Sequence, residues 1–196
     1  MAVIGITGGI GCGKSTFARM LAEILKCPLL DTDAVARELL DSDIEVRELV
    51  TRDVLSTSYG ADGRPDRRAI RQAVFNDPAA KNRLENILHP RVRRRWINQA
   101  ADARSRGEFF LVEIPLLFET GAQDLFDHIV TVACSEETQL RRVTTRGLEA
   151  TEARAILRNQ LPLAEKCARA GFVVWNDGSL DNLRQQALEM RGRLLP

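Results

Sequence analysis

The chain lacks the marks of several large protein classes. Histidine occurs twice, and the four cysteines, Cys12, Cys27, Cys134 and Cys167, are scattered, with no C-x-x-C pair and no histidine at ligand spacing. No zinc site is expected from such a set, which reads instead as buried thiols in a reducing compartment. No apolar run approaches the roughly 18 residues that a membrane span needs. The sequence opens on Met1-Ala2-Val3-Ile4-Gly5-Ile6-Thr7 with no basic leader, so the expectation is a cytoplasmic protein without a membrane partner. Net charge is only +1 although 28% of residues are charged. No global field draws the protein to nucleic acid, and any anion site must be local. Internal repeats, low-complexity tracts and linkers are also missing.

What is present fits one substantial core with elaborations, since 196 residues at 44% hydrophobic content suffice for that and not for two large domains. Short β-branched or apolar runs at Val3 to Thr7, Pro28 to Leu30, Phe109 to Ile114, His128 to Ala133 and Phe172 to Trp175 read as five buried strands. Helical spacing follows most of them, as from Lys14 to Leu25, and the alternation predicts a parallel α/β sheet. Between the second and third runs, residues 34–106 carry only helical stretches. Their predicted boundaries are Asp41 or Ser42, Asp77-Pro78 and Gly107, with a turn cluster from Tyr59 to Pro65. So long a helical block exceeds a crossover helix and predicts a subdomain. Two arginine-bearing helices, Glu136 to Arg146 and Thr151 to Gln160, joined through Gly147, are candidates for a lid.

Gly8-x-x-x-x-Gly13-Lys14-Ser15 satisfies the Walker A pattern between a strand and a helix. Backbone amides from Gly9 to Thr16 would surround the phosphates, Lys14 would reach the β and γ oxygens, and Ser15 would ligate Mg²⁺. Neither Asn-Lys-x-Asp nor Asp-x-x-Gly occurs, which weighs against a guanine-nucleotide switch. Asp31 and Asp33 follow the second strand, at the sheet end where ligands of parallel α/β proteins sit. They can cap the next helix, or meet substrate and metal. An aspartate there can orient a hydroxyl and accept its proton late in phosphoryl transfer. His89 precedes Pro90, which disfavours helical geometry at His89 and predicts a break opening into a cleft. The run Arg91, Arg93, Arg94 and Arg95 reads as a solvated face, an assist to substrate phosphates, or a nucleic-acid contact.

Together the strings at 5–16, Asp31-Thr32-Asp33-Ala34-Val35-Ala36-Arg37, Leu88-His89-Pro90, Pro115-Leu116-Leu117-Phe118-Glu119 and Asn176-Asp177-Gly178-Ser179 resemble the dephospho-CoA kinase family, in the family's order and over nearly the whole chain. The resemblance implies ATP-dependent phosphorylation of the ribose 3′-hydroxyl of dephospho-CoA. Asp33 would be the base. Thr7, Arg37, His89, Leu116 and Glu119 would lie on the acceptor side, Asn176 at the nucleotide, and Arg142 and Arg146 in the lid, where they neutralise transferring charge. The alternatives are a kinase for another small hydroxyl compound or, in a different class, a P-loop switch or nucleic-acid-stimulated ATPase.

Cys12 stands where serine is commoner in the family, a change expected to be tolerated because that position contributes backbone, although it introduces an oxidisable thiol at the phosphate site. The sequence thus predicts a three-layer P-loop NTPase fold with a five-stranded parallel sheet. Residues 1–33, 107–137 and 166–196 would form the nucleotide-binding core, 34–106 a helical acceptor domain and 138–165 a small lid. Its partners would be ATP with Mg²⁺ and dephospho-CoA, with no nucleic acid, and its state a monomer or weak homo-oligomer.

Overall fold

The first strand, β1 (Val3–Gly8), is buried along its whole length and pairs in parallel on both edges. That explains its unbroken apolar and small-residue sequence, since a strand covered on two faces has no polar side to show. A computed structural model describes residues 1–145, 147 and 160–194. Among these, β2 (Leu29–Asp31), β3 (Phe110–Glu113), β4 (His128–Ala133) and β5 (Phe172–Trp175) complete a parallel sheet in the order β2-β3-β1-β4-β5. The chain divides into two compact units. Met1–Asp31 with Gln99–Pro196 is the first, and Thr32–Asn98 is the second.

In the first unit, α1 (Lys14–Leu25) buries Phe17, Ala18 and Leu21 against Ile4, Ile6, Leu111, Val130 and Val132 of the sheet. The C-terminal helix, Leu180–Leu194, adds Leu183, Ala187 and Met190 to that cluster. On the opposite face of β1, Gly5 admits Leu117 and Phe126, whose side-chain atoms come within 2.7 and 3.0 Å of where a Cβ would stand. A short helix, Leu163–Arg169, packs near β1 and β4 on the strength of a lysine, Lys166, that is fully buried. These helices are numbered below in chain order: α6 is Glu136–Thr144, α7 is Leu163–Arg169 and α8 is Leu180–Leu194.

The second unit contains α2 (Thr32–Ser42), α3 (Ile44–Asp53), α4 (Arg67–Asn76) and the greater part of α5 (Pro78–Ser105). Val46, Val50, Ile70, Ile87 and Leu88 form its core. The cap between α2 and α3 is Asp43, whose carboxylate accepts from the Val46 amide at 3.0 Å. The sequence had suggested Asp41 or Ser42, and the shift has a simple cause: α2 runs on through Ser42, where the hydroxyl bonds back to Glu38.

The expected break at His89-Pro90 does not occur. Helix α5 continues through Pro90 for 28 residues. Proline there removes one amide donor and disturbs the preceding turn. The Arg91 guanidinium donates to the Ile87 carbonyl at 2.8 Å and serves that turn from outside. Buried Ile87, Leu88, Val92 and Trp96 hold the helix on both sides of the proline. The basic run is also partly spent within this unit, with Arg91 paired to Glu45 at 2.9 Å and Arg95 to Glu38 at 2.8 Å. Arg93 and Arg94 are exposed.

Candidate active site

The loop between β1 and α1 is shaped by glycines in conformations closed to other residues. Gly13 has φ 87° and Gly11 has φ 76°. A Cβ on Gly13 would also stand 2.3 Å from the Asn176 side-chain nitrogen. Helix α1 begins directly after this turn with no side-chain cap and no acidic residue in its first turn. Its first amides and partial positive charge are left for an anion. The Lys14 ammonium folds back over the loop and donates to the Gly9 carbonyl at 2.9 Å.

Three side chains from distant parts of the chain hold the loop. Asn176, buried at the end of β5, donates to the Cys12 carbonyl at 2.8 Å. Gln139 of α6 donates to the Ile10 carbonyl at 2.8 Å and to the Cys12 sulfur at 3.2 Å. Arg142, one turn later, reaches the Gly11 carbonyl at 3.4 Å. Helix α6 is itself set by Ser135 and Asp177. The Ser135 hydroxyl accepts from the Thr138 amide, and the Asp177 carboxylate accepts from the Ser135 amide and hydroxyl and from the Trp175 indole. The Thr138 hydroxyl, followed by these other donors, holds the Asp177 carboxyl below the usual aspartate range.

The acidic residue of this site escaped the sequence reading. Glu113 ends β3, beside β1, and is buried. Its carboxylate accepts from the Ser15 hydroxyl at 2.7 Å. In the sheet register Asp31 is the neighbour of Glu113, so two acidic residues stand side by side at the carboxyl end of the strands, one of them bonded to the Ser15 hydroxyl. Hard oxygen donors of this kind, one or two carboxylates beside a phosphate site, suit Mg²⁺. Only a weak signal was available in the sequence: one charged residue at the end of an otherwise apolar strand.

After β3 the chain turns through Pro115 to Glu119. The Thr7 hydroxyl donates to the Pro115 carbonyl at 3.1 Å, and the Lys166 ammonium donates to the same carbonyl at 2.9 Å. Lys166 also pairs with Glu119 at 2.7 Å, and Glu119 accepts from the Leu161 amide. Thr7 and Glu119, both expected on the acceptor side, thus fix this turn. Leu116 is half-buried beside fully buried Leu117. In the other unit, Asp33 and Arg37 lie one turn apart on the exposed face of α2, and His89 is exposed on α5. Arg146 and the helix expected from Thr151 lie outside the described residues.

Cys12 is the clearest departure from expectation. Its side chain is not a bystander to a backbone role. It is fully buried, it accepts the Gln139 amide, and the Cys134 thiol donates to it at 3.6 Å. That hydrogen bond and the nearby Lys14 charge lower the Cys12 thiol to about 7 against the opposing effect of burial. The Cys134 thiol is raised by its bond to Cys12 and by burial.

A glycine loop opening a helix, a lysine over it, and a hydroxyl-carboxylate pair on the adjacent strand, all at the carboxyl edge of a parallel sheet in this order, define a P-loop kinase. Comparison with known proteins narrows the class. The sequence profile of the dephospho-CoA kinase family matches residues 2–182. The dephospho-CoA kinase of Thiobacillus denitrificans is 42% identical, over 100% of this chain and 96% of its own length. Among solved structures, a Thermus thermophilus protein is 37% identical with a TM-score of 0.81, covering 99% of this chain and 98% of that one. The dephospho-CoA kinase from Campylobacter jejuni is 29% identical with a TM-score of 0.73, covering 98% and 96%. The chain belongs to the dephospho-CoA kinase family.

Proposed function

We propose that this chain transfers the γ-phosphoryl group of ATP to the ribose 3′-hydroxyl of dephospho-CoA, giving coenzyme A and ADP. The observation that carries the reading is the Ser15–Glu113 pair set against the Gly9–Lys14 loop, in a chain whose family membership spans nearly its full length. In-line phosphoryl transfer demands positioning and charge neutralisation more than covalent chemistry. The loop amides and Lys14 would hold the β and γ phosphates, with Arg142 and Arg146 adding positive charge as water is excluded. Ser15 would ligate Mg²⁺ directly, and Glu113 would fix the Ser15 hydroxyl so that its lone pair faces the ion. Bound there, the ion would neutralise charge on the β and γ oxygens.

Asp33 follows β2 by two residues and would orient the acceptor hydroxyl and take its proton late in the transfer. Arg37, His89 and Leu116 would bind the acceptor. Thr7 and Glu119 would support it by fixing the turn that carries Leu116. The four free thiols suit a reducing compartment, and we place the reaction in the cytoplasm, performed by a monomer or weak homo-oligomer without nucleic acid. Among the described residues no helix is long and apolar enough to cross a membrane.

The test is ADP release with Mg²⁺-ATP, comparing dephospho-CoA with nucleoside monophosphates, shikimate, gluconate and RNA. Turnover with dephospho-CoA alone is expected, reduced by about 10²–10⁴ in Asp33→Asn. Activity with another acceptor and none with dephospho-CoA would overturn the substrate, and full activity in Asp33→Asn would overturn the base.

A further inference from the structure

We propose that Cys12 and Cys134 form a peroxide-sensitive thiol pair whose disulfide withdraws the phosphate loop from its nucleotide-binding shape. Cys12 lies in the loop itself, and Cys134 follows the last residue of β4, the strand hydrogen-bonded to β1 on one side and β5 on the other. Their sulfurs already touch at 3.6 Å. Both residues are buried, at 0% and 2% exposure, so oxidation requires a local opening of the glycine loop, which admits a peroxide more readily than a bulky oxidant.

The pair is asymmetric in a way that assigns roles. The Cys134 thiol and the Gln139 amide both donate to the Cys12 sulfur, and the Lys14 ammonium lies close enough to favour its thiolate. Cys12 is therefore the attacking sulfur. Its lone pair attacks one peroxide oxygen, the O–O bond breaks, and the departing hydroxide takes up the proton given up by the Cys12 thiol and leaves as water, giving a sulfenic acid on Cys12. The Cys134 sulfur then attacks the Cys12 sulfur. The S–O bond breaks, and the departing hydroxide takes the Cys134 proton as water. Two thiols and one peroxide become one disulfide and two waters. The reverse step needs a dithiol reductant, through a mixed disulfide.

Forming the bond draws the sulfurs from 3.6 Å to about 2.05 Å. The two ends do not yield equally. Cys134 is held between the last ladder residue of β4, Ala133, and Ser135, whose amide is tied to Asp177, while Cys12 sits in a glycine turn held by the Asn176 and Gln139 side chains. The loop gives way, and a misplacement on the order of 1 Å in a phosphate site lowers turnover by about a hundredfold. Saturation with Mg²⁺-ATP, which fills the loop, should slow the oxidation.

The effect on turnover rests on the kinase reading; the cross-link itself does not, because mass spectrometry detects it in an inactive protein as well. The purified chain is titrated with hydrogen peroxide and assayed in parallel for intact mass, disulfide-linked peptides and ATP turnover, then treated with a dithiol. The expected result is loss of the mass of two hydrogen atoms, a linked peptide pair containing Cys12 and Cys134, a turnover loss of more than about tenfold, and recovery on reduction. Cys134→Ala should instead gain the mass of one oxygen atom on Cys12, as a sulfenic acid that dimedone traps once the oxidised chain is unfolded in its presence. The proposal is overturned if peroxide that oxidises a free cysteine peptide leaves the pair unlinked, if the linked protein keeps full turnover, or if Cys12 in Cys134→Ala gains no oxygen.

Discussion

Replacing Glu113 by glutamine isolates the role of its charge. The side chain keeps its size and can still accept the Ser15 hydroxyl, which lies 2.7 Å from it. What is lost is charge. A hydrogen bond to a charged group contributes about 1.5–3 kcal/mol against about 0.5–1.5 for a neutral one, so the anchoring of Ser15 weakens by about 1 kcal/mol. The group that orients a metal ligand commonly matters by about 10–100-fold in metal affinity or activity. In free energy that is about 1.4–2.7 kcal/mol. The two routes bracket a loss in kcat/KM of about five- to a hundredfold at limiting Mg²⁺, partly recovered at high Mg²⁺. The assay is ADP release over a Mg²⁺ series at fixed ATP and dephospho-CoA, with nucleotide binding measured separately without metal. Unchanged turnover and an unchanged Mg²⁺ midpoint in Glu113→Gln would refute the link between Glu113, Ser15 and the ion. A turnover loss with the same Mg²⁺ midpoint would show that Glu113 acts elsewhere.

Glu119→Leu should destabilise the fold by about 3–5 kcal/mol in urea unfolding, because it leaves the fully buried Lys166 ammonium without its carboxylate partner. Adding Lys166→Met should recover much of that loss, and a double variant no more stable than Glu119→Leu would contradict the pairing. Asp177→Asn tests the support of α6. The folded-state Asp177 carboxyl is held low by the donors around it, so its stabilising contribution is complete above the ordinary aspartate value of ~3.9 and is lost as pH falls from there through the lower folded value. The gap in unfolding midpoint between the native chain and Asp177→Asn should therefore be constant from neutral pH down to about 4 and shrink below it; a gap that widens on acidification would contradict the sign.

The strand and loop pattern was legible because it rests on local chemistry. The helix expected from Lys14 to Leu25, the strands His128–Ala133 and Phe172–Trp175, and the glycine loop all stand where the residues put them. The misses have long-range causes. Pro90 breaks helices in isolation, but here buried neighbours on both sides and the Arg91 guanidinium keep α5 continuous. Glu113 reads as part of a buried strand until the pairing of β3 with β1 brings it to Ser15. Glu119 is expected on the acceptor side from the sequence, but its ion pair could not be read there, because Lys166 comes 47 residues later, from an α7 too short to stand out by periodicity. Cys12 was assigned a backbone role because only the third dimension shows Cys134 and Gln139 beside it. Residues acting through their neighbours in sequence could be found; those acting through partners across the sheet could not.

The Asn176–Gly13 contact has a consequence for how the protein is made. The glycine loop leaves the ribosome well before β5, and the side chain that bonds its Cys12 carbonyl is synthesised more than 160 residues later. No nascent chain ending before β5 carries that bond. The nucleotide site is thus a late event of synthesis despite its early sequence: stalled chains ending at residue 170 should not retain an ATP analogue, and chains extended past α8 should.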